Sequence, residues 1–288
     1  MSLTHADDSI RLVPASQFTI EQLTALYNKT RVDYMVPMPM NVARLADYIR
    51  LYDIDLDHSF VAMQGEEMLG VAMLGVRHQR AWITRLGVVP TTRRHGAGKM
   101  LVKSLIDAAD SLSSHLIMLE VIKNNAPAHQ LFLKLGFRET GELLVLRRPP
   151  RTSPPDPMVA DAQRLDRTDS LVLVGHDRGM QPWTNQSESL TNAQEVSGIR
   201  LTLADGSRGW LVYQRQKFLL TRFAFKTEHG DPVTVARALL SHLHSQYPRL
   251  DTQIENIQMG DPHLPAFYDM GYMESFRRVE MWRLAKSD

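Results

Sequence analysis

Apolar residues recur at alternating strand and helix spacings along the first half of the chain. Their spacing, together with turn and cap residues, predicts strands over 10–13, 59–63, 68–76, 82–89, 115–122 and 137–148, and helices over 20–32, 42–52, 98–112 and 126–135. Thr19 with Gln22 forms a capping-box signature for the first helix, and Asn41 is an N-cap for the second. The order β-α-α-β-β-β-α-β-α-β predicts a mixed α/β sheet.

The second half repeats the end of this order. A hairpin around Asp205-Gly206 is followed by strands and helices over 218–225, 232–246, 251–257, 262–270 and 276–284. Ile83-Thr-Arg-Leu86 matches Leu220-Thr-Arg-Phe223, and residues 131–137 match 266–272, at separations of 137 and 135. Chance similarity is the alternative, but two matches in the same element order favour an internal duplication whose second copy has a shortened front.

A proline-rich segment over residues 149–157 divides the chain near its midpoint, since prolines interrupt both helices and central strands. The run over residues 170–174 is interpreted as the last strand of the first domain, with pairing in the second sheet as the alternative. The predicted domains are therefore residues 1–177 and 178–288.

Composition narrows the class of protein. With 43% hydrophobic residues and a net charge of +1, the chain can bury a core and lacks the basic excess of a non-specific nucleic-acid binder. Cysteine is absent, which excludes disulfides and thiol chemistry. Neither a signal peptide nor an apolar run of about 18 residues occurs. We expect a soluble cytoplasmic protein with no membrane or nucleic-acid partner.

Arg93-x-x-Gly96-x-Gly98 carries the clearest chemistry. It follows a predicted strand and opens a helix, whose unpaired N–H groups and positive dipole end favour a phosphate. The spacing does not fit a Walker loop, because Arg93 and Met100 occupy the required Gly and Ser/Thr positions. A dinucleotide fingerprint fails at Leu101. A nucleotide hydrolase is therefore disfavoured.

This loop is followed by Glu120-Val-x-x-x-Asn125 and by Leu131-Phe-x-x-Leu-Gly-Phe137. With Val88-Val-Pro90 before it, the arrangement resembles the GNAT superfamily of acyl-CoA N-acyltransferases over about residues 10–148. The resemblance implies two GNAT-like domains in tandem, the first using acetyl-CoA and no metal. The implied activity is transfer of an acetyl group to a primary amine by direct attack in a ternary complex.

The resemblance also implies residue roles. Backbone groups of Leu86, Gly87 and Val88 would pair with the pantetheine arm, and Asn125 would contact that arm or only cap the next helix. The residues expected around the pyrophosphate, mostly through their backbone amides, are Arg93, Arg94, His95, Gly96, Ala97, Gly98 and Lys99.

Glu120 is expected to be the general base, with a surface ion pair as its alternative role. The resemblance implies that Phe132 would lie along the cofactor, at the position where many members of the family have a tyrosine that protonates the thiolate. Phenylalanine cannot donate a proton, and His129 is a weak substitute, more consistent with a solvated helix histidine. A non-catalytic CoA-binding sensor or scaffold is therefore the alternative function.

The acceptor region is expected around residues 33–40, with Tyr34 and Met38 binding a small-molecule or peptide amine. Core filling by the methionines is the alternative. The second copy lacks the glycine loop and has Glu228 and Asp231 where phosphate would lie, so we expect it not to bind CoA. It would support the first domain, cover part of the acceptor site, or form a homodimer surface.

Overall fold

The computed structural model describes residues 9–93, 95–175 and 179–285. Two compact units are present, and each is discontinuous in sequence. The first comprises the chain up to Val121, then Asn125–Glu139, and the chain from Met281 onwards. The second comprises Ile122–Asn124 and Thr140–Glu280. The predicted boundary between residues 177 and 178 lies outside the described residues, and the compact units place residues 140–175 with the second half.

The first unit is built on an antiparallel sheet that ends in one parallel pair. The strands follow one another in space as β1-β2-β3-β4-β5, and only β4 and β5 run parallel. The strands are β1 (Ile10–Pro14), β2 (Ile54–Gln64), β3 (Glu67–Arg77), β4 (Arg80–Val88) and β5 (Leu116–Ile122). The helices are α1 (Ile20–Lys29), α2 (Val42–Leu51), α3 (Ala97–Ser111) and α4 (Ala126–Lys134).

Local signals explain where these helices begin and which faces they bury. Thr19 and Gln22 form the predicted capping box, and the Asn41 side chain accepts a hydrogen bond from the Arg44 amide. On α3, Leu101 and Leu105 are completely buried, one turn apart. The predicted helices and caps of the first half are thus confirmed, with ends shifted by a few residues.

The second unit repeats the same architecture. Its strands are arranged β6-β11-β10-β9-β8-β7, with β10 and β11 parallel. The strands are β6 (Arg138–Arg148), β7 (Val159–Leu165), β8 (Val196–Leu203), β9 (Arg208–Arg215), β10 (Leu219–His229), β11 (Asp251–Gln258) and β12 (Met273–Leu284), whose last residues belong to the first unit. The helices are α5 (Arg167–Gly175), α6 (Ser187–Asn192), α7 (Pro232–Gln246) and α8 (Leu264–Asp269).

The front of the second copy contains all of its elements, so the prediction that this half repeats only the end of the order is wrong, although the front is shorter, with 6 residues in α6 against 10 in α2. β7, α5 and α6 stand in the same order as β1, α1 and α2, which gives each half the order β-α-α-β-β-β-α-β-α-β. The strand predicted over residues 170–174 is also wrong, because this run lies in α5. Asp166 accepts a hydrogen bond from the Asp169 amide (2.9 Å) as a helix cap, and Val172 is 60% exposed within the apolar run.

Backbone geometry supports the duplication at the residues where the two motifs match. Arg85 and Arg222, which share the Thr-Arg pair, both have φ of 54°. Asp53 and Glu195, each directly before the strand that follows the second helix of its half, have φ of 53° and 56°. Left-handed backbone is uncommon for residues other than glycine. Its recurrence at matching positions therefore reflects the shared fold of the two halves and not a preference of these amino acids.

His244 gives the second unit a pH-dependent stability. It is fully buried, and its Nε2 lies 2.9 Å from the Tyr272 hydroxyl. Burial and the positive charge of nearby Arg148 lower the pKa of His244 to about 3. An unfolded histidine has a pKa of about 6.5, so between these values the unfolded state binds the extra proton and stability falls as pH falls.

We expect the His244→Gln variant to lose this dependence. Its free energy of unfolding should fall less on going from pH 6.5 to 4.5, by about 1 kcal/mol per pH unit relative to the parent protein. Urea unfolding at both pH values measures the difference, and His229→Gln, at an exposed histidine, is the control. Equal slopes in His244→Gln and the parent protein would contradict the assignment.

Candidate active site

Strands β4 and β5 pair over only part of their length. The parallel register runs from Arg80 opposite Leu116 to Ile83 opposite Leu119, and no pairing follows. Arg85, two residues further, has φ of 54°, and the β3–β4 register shifts at the same level. Such a bulge twists and redirects a strand. The end of β4 therefore has no strand partner on its β5 side, and the predicted residues Leu86, Gly87 and Val88 lie along this open edge.

The end of α1 lies directly against that part of β4. A Cβ at Gly87 would overlap Thr30 Oγ1 and would lie 2.7 Å from Thr30 Cβ. Arg31 Nη2 donates a hydrogen bond to the Leu86 carbonyl oxygen (2.8 Å). Only glycine permits this close approach. The packing against Thr30 therefore explains the glycine at position 87 without any ligand.

The loop after β4 leads into an open helix N-terminus. Gly96 has φ of 88° and precedes α3 without a side-chain cap. The first hydrogen bond of α3 runs from the Met100 amide to the Gly96 carbonyl (3.0 Å), so the Ala97, Gly98 and Lys99 amides have no acceptor within the helix. A Cβ at Gly98 would meet only Val88 at an ordinary 3.5 Å. No neighbour in the chain requires this glycine, and the space beside the amides fits an anion.

The charged side chains of the loop have different positions. Predicted residues His95 and Lys99 are exposed, whereas Arg94 lies outside the described residues. The Arg93 guanidinium donates to both Asp33 carboxylate oxygens (2.6 and 2.8 Å) and to the Val88 carbonyl (3.2 Å). These bonds hold the pKa of Asp33 below its ordinary value. Arg93 thus fixes the loop to the segment after α1, with its charge paired.

Glu120 on β5 is held by an aromatic cluster. Its carboxylate accepts a hydrogen bond from the Trp82 indole (2.8 Å). Trp82 packs against Tyr48 and Tyr52, with ring centroids 6.1 and 5.6 Å apart. Burial raises the pKa of Tyr48 above its ordinary value, and the charge of Glu120 adds to this effect. The Glu120 carboxylate is half-buried and oriented by the Trp82 indole, which is suitable for a general base that must stay in one position.

Asn125 caps α4 and also reaches the predicted acceptor region. Its side chain accepts from the Ala128 amide (3.4 Å) and donates to the Tyr34 hydroxyl (3.4 Å). The cap role is therefore confirmed, and the contact with the cofactor stays a prediction. Met38, the other predicted acceptor residue, is half-buried in the loop that contains Tyr34.

Phe132 is buried and meets the Phe137 ring edge-on at 5.9 Å. His129 Nε2 lies 2.8 Å from Glu139 Oε1. The imidazole therefore forms a surface ion pair when protonated, in line with the solvated-histidine interpretation.

The sequence analysis missed three side chains beside the open edge, namely Tyr27, Arg31 and Arg85. The repeated Thr-Arg pair at Thr84-Arg85 was the available signal for Arg85. Arg31 and Tyr27 belong to a helix end whose position against β4 has no local signature.

The second unit contains a corresponding cleft with different walls. β10 and β11 pair only at Leu219 and Leu220 and then diverge around a cleft of about 430 Å³. The Phe225 ring stacks on His263 (5.7 Å) and meets Phe267 edge-on (5.3 Å). Thr227 Oγ1 and His263 Nε2, on opposite walls, lie 3.0 Å apart. Aromatic side chains thus line part of this divergence.

Acidic groups stand at the start of α7, as the sequence indicated. The Asp231 carboxylate accepts hydrogen bonds from the Thr234 amide and hydroxyl (2.8 and 2.7 Å), which lower its pKa. Glu228 is paired with Arg200 at 2.9 Å. A carboxylate therefore already caps the helix end that would meet a phosphate.

The interrupted parallel pair, the glycine loop and the open helix end define the GNAT class of acyltransferase fold. Residues 23–137 match the family model described as "Acetyltransferase (GNAT) family", and this part of the chain belongs to that family. No curated protein sequence matches the chain.

Solved structures of similar fold extend over nearly the whole chain. A GCN5-related N-acetyltransferase from Sphaerobacter thermophilus has a TM-score of 0.69 at 15% identity, covering 97% of each chain. A tandem GNAT protein from the clavulanic acid biosynthesis pathway has a TM-score of 0.66 at 16% identity, covering 97% of this chain and 100% of that one. These structures confirm the predicted mixed α/β fold with two GNAT-like domains in tandem, and the family model confirms the predicted family for residues 23–137.

None of the helices in residues 9–93, 95–175 and 179–285 has both the length and the apolar composition of a membrane span. The same residues contain no group of three or more His, Asp or Glu side chains that could hold a metal ion.

We expect Gly87→Ala to destabilise the protein by about 1–3 kcal/mol, because its Cβ overlaps the buried Thr30 side chain. The same change made in a Thr30→Gly background should cost clearly less. Urea unfolding of the four proteins of this double-mutant cycle measures the coupling. Gly260→Ala, where a Cβ meets no atom within 4 Å, is the control. Equal costs in both backgrounds would show that Thr30 does not exclude the side chain.

Proposed function

We propose that the first unit transfers an acetyl group from acetyl-CoA to a primary amine. The observation that carries this proposal is the open N-terminus of α3, with its uncapped amides, directly after a β4 edge that has no strand partner. The unpaired edge offers an extended backbone for the amides of a pantetheine arm, as in strand addition. The helix end offers donors and a positive dipole for a pyrophosphate.

The residues fit this ligand in type as well as in position. Gly96 and Gly98 leave room beside the amides of Ala97, Gly98 and Lys99. The Leu86, Gly87 and Val88 backbone would hold the arm, and Asn125, which would contact it, stands at the start of α4. Acetyl-CoA supplies an acyl group already activated as a thioester, so the protein needs only to bind, orient and move protons.

Glu120 would act as the base for the amine. The amine nitrogen forms a bond to the acyl carbon while the carbon–sulfur bond breaks, the proton lost by nitrogen passes to the carboxylate, and the thiolate takes up a proton. The hydrogen bond from Trp82 to one carboxylate oxygen orients the Glu120 side chain for this role. Phe132 has no proton to give, so the thiolate proton must come from water or another side chain.

The second unit would not bind CoA. Asp231 already caps α7, and the Phe225 ring, stacked on His263, narrows the divergence of its strands. We expect this unit to serve the first unit structurally rather than catalytically.

A non-catalytic CoA-binding sensor is the second candidate, favoured by the buried phenylalanine at position 132. Binding is common to both candidates, and only turnover separates them.

We expect calorimetric titration with acetyl-CoA to give one site per chain. Gly98→Glu should weaken this binding by about tenfold or more, because a carboxylate beside the helix amides repels phosphate. Gly141→Glu, an exposed glycine with open space around it, makes the same change elsewhere and should bind normally. Unchanged affinity in Gly98→Glu would refute the phosphate loop, and two sites would refute the silent second unit.

We expect Glu120→Gln to lower turnover by about 10²-fold, since a general base typically contributes 10²–10⁴, while acetyl-CoA affinity stays the same. Glu255→Gln is the matched control, because Glu255 lies at the corresponding separation of 135 residues in the second copy. Steady-state kinetics over an acceptor panel, at several pH values, tests this. Undiminished turnover would mean that the base lies elsewhere, and an inactive parent protein that binds acetyl-CoA would favour the sensor.

A further inference from the structure

The cleft of the second unit brings a hydroxyl, an imidazole and a carboxylate together in one chain of hydrogen bonds. Thr227 Oγ1 lies 3.0 Å from His263 Nε2, and His263 Nδ1 lies 2.8 Å from Asp261 Oδ1. All three residues line the cleft of about 430 Å³ between β10 and β11. Thr227 is on β10, whereas the other two lie between β11 and α8. The fold therefore joins residues that are 36 positions apart.

The carboxylate determines the direction of these hydrogen bonds. Burial raises the pKa of Asp261, but the hydrogen bonds and the charge of His263 lower it more, so this pKa lies below its ordinary value. An ionised carboxylate only accepts, so the proton of the neutral imidazole is on Nδ1 and Nε2 is an acceptor. The Thr227 hydroxyl therefore donates to Nε2. A hydroxyl bonded to a base that a third group orients is the arrangement of an activated nucleophile.

Packing holds the imidazole in one position. The His263 side chain is 11% exposed, and the Phe225 ring stacks on it at 5.7 Å. Phe225 is in turn supported edge-on by Phe267 at 5.3 Å. The Asp261 carboxylate also accepts from the His263 amide at 2.8 Å, which fixes the carboxylate relative to the ring. A base supported in this way loses little entropy when it acts.

The walls of the cleft indicate the class of substrate. Its volume is within the range of sites for small molecules, about 300–1,000 Å³. The apolar side chains that line it are Phe223, Phe225, Ile254, Ile257 and Phe267. These walls favour an apolar acyl group. The pairing of β10 with β11 ends at Leu220, so backbone amides of this edge would donate to the carbonyl oxygen of a bound ester.

We propose that Thr227, His263 and Asp261 form a second catalytic site, which hydrolyses carboxylic esters with an apolar acyl group. Thr227 Oγ1 forms a bond to the acyl carbon while the bond from this carbon to the alcohol oxygen breaks. His263 Nε2 takes the hydroxyl proton and gives it to the departing alcohol. Water then attacks the acyl-threonine and releases the acid, and its proton returns through His263 to Oγ1. The second unit thereby has an activity of its own, in addition to its expected structural role.

The test follows the release of 4-nitrophenol from 4-nitrophenyl butyrate and 4-nitrophenyl benzoate by the full chain. We expect release about 10²-fold or more above the rate in buffer for at least one ester, since a positioned base contributes 10²–10⁴. The assay contains no acyl-CoA, so its result does not depend on the proposed function of the first unit. Release at the buffer rate with both esters overturns the proposal.

Variants of the three residues distinguish this site from hydrolysis by histidines at the surface. Thr227→Val removes the hydroxyl at nearly constant shape and should abolish the ester reaction, whereas Thr227→Ser should keep it. Asp261→Asn should lower kcat by about 10²-fold or more, because the imidazole loses its orientation. Thr152→Val, at an exposed threonine, is the control and should react normally. A rate that persists in Thr227→Val overturns the assignment.

Covalent trapping in the unaltered protein keeps the proposal testable if Thr227→Val fails to fold, which urea unfolding would show. An alkylphosphonate with a 4-nitrophenol leaving group should phosphonylate Oγ1 and stop the ester reaction, because phosphorus takes the place of the acyl carbon. Mass spectrometry of the digested protein identifies the modified residue. Modification at Thr227 supports the proposal. Modification confined to other residues, or full activity after treatment, overturns it.

Discussion

The left-handed bulge at Arg85 is the constraint on which the first unit depends. A strand inside a sheet normally pairs on both sides, and here the pairing of β4 with β5 ends after Ile83. The strain of a left-handed arginine is maintained by its surroundings, including the contacts of its guanidinium with Tyr48 and Tyr27. The result is a strand edge whose backbone groups have no neighbouring strand, and the open N-terminus of α3 lies in the same part of the unit.

The end of α1 determines the geometry of both sides of this edge. Thr30 leaves no room for a side chain at Gly87. Arg31 donates a hydrogen bond to the Leu86 carbonyl. Arg93 donates to the Thr30 carbonyl and forms an ion pair with Asp33. One segment therefore fixes the position of both the glycine loop and the proposed acceptor region. Arginine suits this role because its planar fork can stack on a ring and donate hydrogen bonds at the same time. A shift of this segment would move the glycine loop and the stacked Arg31–Tyr34 pair together.

The fold could be predicted where the signal is local. The Thr19–Gln22 capping box, the Asp231 cap and the glycine loop are each contained in a few residues, and the structure has all three. The run over residues 170–174 was predicted as a strand because a short apolar stretch is compatible with both strand and helix. The cap at Asp166 begins a helix there instead. Likewise, the Arg93–Asp33 pair and the Tyr34–Asn125 bond join residues 60 and 91 positions apart, which no periodicity could indicate.

The two halves share one backbone feature, a left-handed bulge in a strand, but different side chains surround it. Both contain the bulge, with φ of 54° at Arg85 and Arg222, and both have a parallel pair that diverges. The halves differ in the side chains that lie between the diverging strands and in how the N-terminus of the following helix, α3 or α7, is capped. Gly96 leaves the amides of α3 open, whereas the Asp231 side chain satisfies an amide of α7 from within the chain. Arg85 stacks on tyrosines, whereas Arg222 donates to the Gln214 amide oxygen. Because the bulge is also present in the unit where a carboxylate caps the helix end, it belongs to the architecture of the sheet, and the chemistry of each unit depends on the side chains around the bulge.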